Sequence, residues 1–462
     1  MFLNKKIVVG VAPTKRLFLS IDAASEQKDI FMKTIRGIFP EKIEIVDIDD
    51  ICEKGIVSKL EFIPAIVEKF KQHNIDALFL PFCDFGEEAA AYGIAREFKV
   101  PVLIWGPRDN KPNTKMGRGR DTQCGIFAAT KVLARANITY SYIINSPGDG
   151  PDLKRGFEKF VRVVSVVRML KNLKVATIGN RPNPFFSVIA NEAELQTRFG
   201  VEVIPLSLLT IIKKVNEMAE ADTVAVEEEI ASIKSRVDCS KMDTEHLKKV
   251  VSLKIVLKAM LEQSGCTAAA IGCWAIPDSL GVATCFVNGE LTDLGIPVSC
   301  EMDINGAITS CILQAAGLGE ITFFADLTIR NPENDNSELL WHCGPFPYSL
   351  KASDSKAEMV GNGGGQWRLR DGNMTVARFD TIDGNYKIFA GNAKTTTGPE
   401  TVNTYVWIET ENWKRWEEKF IFGPYIHHIS GIYGDYVDVL KECCRYIPAL
   451  DWDDLKDGPT SL

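Results

Sequence analysis

The chain has 462 residues, of which 45% are hydrophobic and 25% charged, with a net charge of −8; that length predicts two to four domains. The negative balance argues against nucleic acid as the main partner, and no apolar run reaches the ~18 residues of a membrane span. The first ten residues read as the start of a strand, not as a secretory apolar segment, and the twelve cysteines form no CxxC pair. Small buried thiols in a cytoplasmic setting are expected.

The first third alternates short apolar runs with helical periodicity. Strands are predicted over 6–12, 43–48, 77–82 and 102–106, and helices over 26–38, 60–73 and 87–98. A helix over 122–136 and a strand over 139–144 follow. This alternation, with β-branched runs buried on both faces, predicts a parallel sheet covered by helices. The loop between 105 and 125 carries Lys111, Lys115, Arg118 and Arg120. It follows a strand, where open α/β sheets hold ligands. Arg118 is therefore a candidate contact for substrate oxygens or a neighbouring subunit, a solvated loop being the alternative.

A long helix over 151–171 leads into a restart of the pattern. Strands are predicted over 174–179, 201–206 and 268–274, with a charged helical stretch over 207–236 and a helix over 244–263. A further strand is predicted over 321–329, and after about residue 330 runs over 374–380, 386–391 and 404–410 alternate with Gly-rich turns, the antiparallel signal. A helix over 435–446 closes the chain. The Gly-rich segment 361–367 matches neither a dinucleotide nor a P-loop fingerprint and is read as a flexible loop. The expected class is α/β: two doubly wound parallel-sheet domains, 1–172 and 173–316, and a β-rich, barrel-like C-terminal domain, 317–462.

Chemistry-bearing residues stand out against this frame. Only five histidines occur, and two are adjacent, His427 and His428, in a Gly/Pro-bounded turn. Glu301 precedes an apolar helix predicted to run to Ala316, where a bare interaction with the helix dipole is the competing explanation. Asp326 lies inside a strand of aromatic and β-branched residues, which disfavours Asp. His342 sits in an apolar strand, as a ligand or as a packed core histidine. A charged carboxylate is costly to bury without a partner. Two carboxylates with one or two imidazoles and open positions suit Mn²⁺ or a similar divalent ion better than structural zinc. Trp274 and Trp367 are candidate stacking surfaces for a sugar, core packing being the alternative.

At these residues the chain resembles the L-fucose isomerase and L-arabinose isomerase superfamily. The resemblance rests on Cys300-Glu-Met-Asp-Ile-Asn-Gly-Ala, Phe323-Phe-Ala-Asp-Leu and Gly423-Pro-Tyr-Ile-His-His, with Arg118-Gly-Arg-Asp-Thr-Gln-Cys-Gly as an N-terminal segment. In the fucose isomerase branch a Glu, an Asp about two dozen positions later and a C-terminal His bind Mn²⁺; Glu301 and Asp326 are 25 apart. His342 resembles a further His of the arabinose branch. Between the adjacent pair, His427 is slightly favoured as ligand. The resemblance implies a homo-oligomer, hexamer or trimer, with the active site near a subunit boundary. This chain is shorter than fucose isomerase, mainly in the third domain.

The expected function is a metal-dependent aldose–ketose isomerase acting on a free sugar. Glu301 and Asp326 would exchange acid and base roles across a cis-enediol. Two alternatives stand beside it: the same chemistry on an anionic sugar such as a sulfonated hexose, and a non-catalytic sugar-binding protein.

Overall fold

A computed structural model describes residues 5–110, 119–221 and 223–455. The chain divides into two compact units, the first ending at Arg168 and the second starting at Met169. In the first, the parallel strands β1 (Ile7–Val11), β2 (Ile43–Val46), β3 (Ala77–Pro81), β4 (Val102–Trp105) and β5 (Ser141–Tyr142) form one sheet in the order β2-β1-β3-β4-β5. Strands β3 and β4 are buried along their whole length. That is why their sequences are continuous apolar runs with no alternation.

The second unit opens with a four-stranded parallel sheet, ordered β7-β6-β8-β9, built from β6 (Lys174–Ile178), β7 (Glu202–Leu206), β8 (Ala268–Ile271) and β9 (Val298–Ser299). The charged stretch predicted as one helix over 207–236 is two helices, Leu208–Ala221 and Val224–Lys234. Each buries a short apolar stripe and leaves its Glu and Lys residues to water. The helix Ile304–Ala316 is buried at all of its positions. A helix apolar or small on every side belongs between layers.

The rest of the chain forms a nine-stranded sheet. Its strands are β10 (Thr322–Arg330), β11 (Ser337–His342), β12 (Glu358–Val360), β13 (Gly364–Arg368), β14 (Asn373–Ile382), β15 (Asn385–Thr396), β16 (Thr404–Glu409), β17 (His428–Tyr433) and β18 (Leu450–Asp453). Six of them, in the order β16-β11-β10-β17-β14-β15, close into an antiparallel barrel because β15 also pairs with β16. Closure removes the exposed edges that six long strands would otherwise present. The hairpin β12–β13 and the strand β18 extend the sheet beyond the barrel. The Gly-rich segment 361–367 is thus largely ordered as the turn and second strand of a hairpin, not a flexible loop. Gly364 and Gly365 leave room there for the close approach of the chain at Cys343 and Gly344.

One hydrophobic core runs from Ala176 and Ile271 in the four-stranded sheet through Phe286 and Phe323 to Val406 and Ile429 in the barrel. The ends of β8 and β9 and the barrel strands β10, β11 and β17 therefore meet in the interior of one unit. No helix among the described residues is long and apolar enough to cross a membrane.

Candidate metal centre

Glu301 lies in the turn between β9 and the helix Ile304–Ala316, and the backbone there is unusual. Glu301 and Met302 have φ of 52° and 62°, a left-handed conformation that costs a non-glycine residue roughly 1–2 kcal/mol. The turn is held by Met302 N–H donating to Ile271 C=O at 3.0 Å and Ser299 Oγ–H donating to Asp303 C=O at 2.6 Å. Asp303 then caps the helix, its Oδ1 accepting from Gly306 N–H at 2.9 Å. Two strained residues secured on both sides indicate a side chain whose direction matters.

Asp326 and His428 reach the same place from the barrel. Their strands, β10 and β17, are antiparallel neighbours, and the two residues are directly opposed in register. Side chains at opposed positions share a face of the sheet. His342 arrives at the end of β11, with a register irregularity between Leu327 and Ile329 on the intervening strand. Phe324 packs against both imidazoles, its ring centre 5.7 Å from that of His342 and 5.0 Å from that of His428.

Four ligating atoms converge. His428 Nε2 lies 3.8 Å from Glu301 Oε2 and 3.5 Å from Asp326 Oδ1. His342 Nε2 lies 3.6 Å and 3.9 Å from the same two oxygens. These separations are too long for hydrogen bonds. Glu301 Oε2, Asp326 Oδ1 and His342 Nε2 are buried with no hydrogen-bond partner among the described residues. Three orphaned polar atoms at one point would cost ~1–3 kcal/mol each if left so. A divalent ion with bonds of ~2.0–2.2 Å places adjacent ligands ~3–3.5 Å apart, only a few tenths of an ångström inside the observed spacing. The donor set of two carboxylates and the His428 imidazole fits such an ion; His342 Nδ1 accepts from Cys343 N–H at 2.9 Å, which places the proton of the neutral ring on Nε2.

The sequence favours His427 as the ligand, and the geometry brings both histidines near Asp326. His428 is 1% exposed and lies between both carboxylates, whereas His427 is exposed. Its ring lies 4.4 Å from that of His428, and it offers a nitrogen near Asp326 alone of the two carboxylates.

Behind His428 stands a buried polar network. Its Nδ1 is 2.9 Å from Asp303 Oδ2, which assigns the proton to Nδ1 and leaves the Nε2 lone pair free for a cation. Arg378 donates to Asp303 and to Asp380, and Asn305 Nδ2 donates to Asp380 Oδ1 at 2.9 Å. Burial pushes the Asp303 carboxyl up, but Arg378 and His428 outweigh it and hold the group far below the usual carboxylate range. The sequence reading assigned Asp303, Arg378 and Asp380 no role. Arg378 and Asp380 are two charged residues spaced by two on a largely buried strand, which places them on one face.

Glu301 Oε1 is held from the other side. Trp274 Nε1–H donates to it at 3.3 Å and Cys273 Sγ–H at 3.7 Å. Burial pushes the Glu301 carboxyl up, yet the imidazoles of His342 and His428 prevail and keep it low. On His342, burial disfavours charge, but Cys343 and the carboxylates retain a proton and raise its pKa; a bound cation would take that proton's electrostatic place. Phe185, in the loop after β6, lies edge-on to Trp274 at 5.2 Å and stacks near His428 at 6.1 Å. It forms an apolar wall that the sequence did not announce.

The remaining expectations separate. Trp274 is 53% exposed beside Glu301. Trp367 is buried in the core between Phe286 and Tyr348, so it has no free face to offer a sugar. Arg118 lies outside the described residues.

Residues 10–171 match the family described as Fucose/sulfoquinovose isomerase, N-terminal domain. Over 413 residues the chain is 26% identical to a sulfoquinovose isomerase of Priestia aryabhattai, covering 86% of this chain and 90% of that protein. It is 24% identical over 286 residues to a sulfoquinovose isomerase of Alkalicoccus urumqiensis, with 61% and 62% of the two chains covered. A sulfoquinovose isomerase of Clostridium sp. (strain MSTE9) is 27% identical over 281 residues, with 60% and 61% covered.

Proposed function

We propose that this chain, whose residues 10–171 match the fucose/sulfoquinovose isomerase N-terminal domain, is a metal-dependent aldose–ketose isomerase whose substrate is a sulfonated hexose, with sulfoquinovose the first to test. The observation that carries it is the convergence of Glu301 Oε2, Asp326 Oδ1 and His342 Nε2, buried and unpartnered, around His428 Nε2. A non-catalytic sugar-binding protein has no need of two buried carboxylates so arranged.

Glu301, Asp326 and His428 would hold the divalent ion, Mn²⁺ or one of similar preference, with His342 Nε2 directed at the same two carboxylates. When bound, the ion supplies Lewis-acid polarisation of the sugar's carbonyl. Isomerisation moves one proton between adjacent carbons and one between their oxygens. Glu301 and Asp326 face each other across the centre and are the groups able to take the carbon-bound proton and return it to the neighbouring carbon through a cis-enediol. Trp274 and Cys273 hold Oε1 of Glu301, which directs Oε2 toward the imidazoles and Asp326. Phe185 and Trp274 narrow the approach and lower water access, which strengthens every charge interaction inside.

The family resemblance also supports a homo-oligomer, hexamer or trimer, with the site near a subunit boundary. Twelve free cysteines support a reducing, cytoplasmic setting. The sulfonated substrate is supported by the relatives' names; neutral L-fucose or L-arabinose is the competing substrate class.

The deciding experiment incubates the manganese-loaded protein with sulfoquinovose, L-fucose and L-arabinose and follows ketose formation. Isomerisation of sulfoquinovose with solvent deuterium appearing at C1 of the ketose, and at C2 of the recovered aldose, is expected. Turnover should vanish in Glu301→Gln and in Asp326→Asn while the fold persists. Isomerase activity retained in either variant refutes the assigned roles, and a preference for the neutral sugars refutes the sulfonated substrate.

A further inference from the structure

Aldose–ketose isomerisation uses no sulfur, yet thiols crowd one flank of this centre. Cys273 follows β8 and Cys300 follows β9, at the same end of two adjacent parallel strands. Cys273 is 7% exposed and Cys300 is fully buried. Cys343 adjoins Cys300, and Cys285 Sγ lies 3.3 Å from Cys343 Sγ. All four are free thiols.

We infer that Cys273, Cys300 and Glu301 form a second cation site, selective for a thiophilic divalent ion of the zinc class, which shares the Glu301 carboxylate with the oxygen/nitrogen centre. The two sulfurs and a Glu301 oxygen all lie within 4.8 Å of one another. Cys273 Sγ is 3.7 Å from Glu301 Oε1, against ~3.5 Å for the sulfur–oxygen edge of a tetrahedron with zinc–ligand bonds of ~2.3 and ~2.0 Å. Asn288 Nδ2 donates to Cys300 Sγ at 3.4 Å, a contact that stabilises negative charge on sulfur. Cys343, beside Cys300, is the nearest further sulfur.

The two oxygens of Glu301 face different chemistry. Oε2 faces the imidazoles and Asp326, whose hard and borderline donors suit Mn²⁺-like ions. Oε1 faces Cys273 and the indole N–H of Trp274. Trp274 is half exposed, so its side chain can swing aside. Soft thiolates then discriminate between ions where a common carboxylate does not. A coordinating ion displaces thiol protons outright. An ion on Oε1 also pins the carboxylate proposed to carry a proton, so occupancy inhibits the enzyme.

The test uses the full-length, manganese-loaded protein and Cd²⁺ as the probe. Ultraviolet sulfur-to-cadmium charge-transfer absorbance is expected to saturate at one equivalent per chain, with parallel loss of isomerase activity. Cys273→Ser and Cys300→Ser should each lose the band while keeping the wild-type circular dichroism spectrum. If Cys300→Ser does not fold, Cys273→Ser decides alone. No band, or a band unchanged in Cys273→Ser, overturns the inference, as does a band that instead requires Cys285. An Asp326→Asn variant keeps the band whether or not the isomerase assignment holds, so the two proposals fail separately.

Discussion

Asp326 on β10 and His428 on β17 are opposed partners in antiparallel register, with Asp326 Oδ1 3.5 Å from His428 Nε2. A shift of one residue in either strand would turn one of the two away from the centre, because side chains alternate faces along a strand. The barrel's pairing thus places His428 opposite Asp326. His428→Gln is expected to lose stoichiometric Mn²⁺ and to lower kcat/KM by about 10³-fold or more, the several kcal/mol that a Lewis acid contributes. His427→Gln should retain stoichiometric metal. Metal analysis of the two purified variants decides between them.

Asp303 acts through His428. Replacing it with Asn removes the charged acceptor of the Nδ1 proton, and the loss of such a partner weakens metal binding by ~10–100-fold. It also leaves Arg378 short of one buried carboxylate, so the melting temperature should fall. A merely structural role predicts the second effect alone. The informative measurement is Mn²⁺ affinity in Asp303→Asn, His428→Gln and the double variant. If Asp303 works through His428, the double variant binds no more weakly than His428→Gln.

The three unpartnered atoms predict that metal and stability are linked. An ion bound only by the folded chain stabilises it by ~2.7 kcal/mol at a hundredfold excess over Kd. Mn²⁺ should therefore raise the melting temperature of chelator-treated protein. The shift should be abolished in Glu301→Gln.

Gly306 sits where the helix passes Phe324. A Cβ there would lie 2.4 Å from the Phe324 ring and 2.7 Å from Asp303 Oδ2. Gly306→Ala should cost ~1–3 kcal/mol by overpacking. It should also lower kcat, since Phe324 supports both imidazoles. Urea denaturation and steady-state kinetics read the two effects.

Glu338, buried on β11, is pushed up to about 7, by burial first and then by Glu417. Between the ordinary Glu value of ~4.3 and about 7 the folded state keeps this proton while the unfolded chain has released it. The contribution of Glu338 to stability therefore declines as pH rises through that window and is level above it. Glu338→Gln should be more stable than the native chain at pH 8, by ~1–2 kcal/mol, with the difference vanishing near pH 4. Denaturation midpoints at the two pH values test the sign.

The sequence by itself determined the periodicities. Continuous apolar runs in β3 and β4 specified buried parallel strands, alternation after residue 370 specified an antiparallel sheet, and the 25-residue interval from Glu301 to Asp326 marked two carboxylates in apolar surroundings. These are local properties, fixed by side chains a few positions apart. It did not reveal that 207–236 is two helices, that 361–367 forms a hairpin, or that Trp367 is core. Nor did it show that Arg378 lies beneath Asp303, 75 positions away. Only the tertiary structure shows that His428 is opposed to Asp326 and has Asp303 behind it, because both contacts depend on barrel register. Burial and convergence are properties of strands brought together from distant parts of the chain, and no local pattern encodes them.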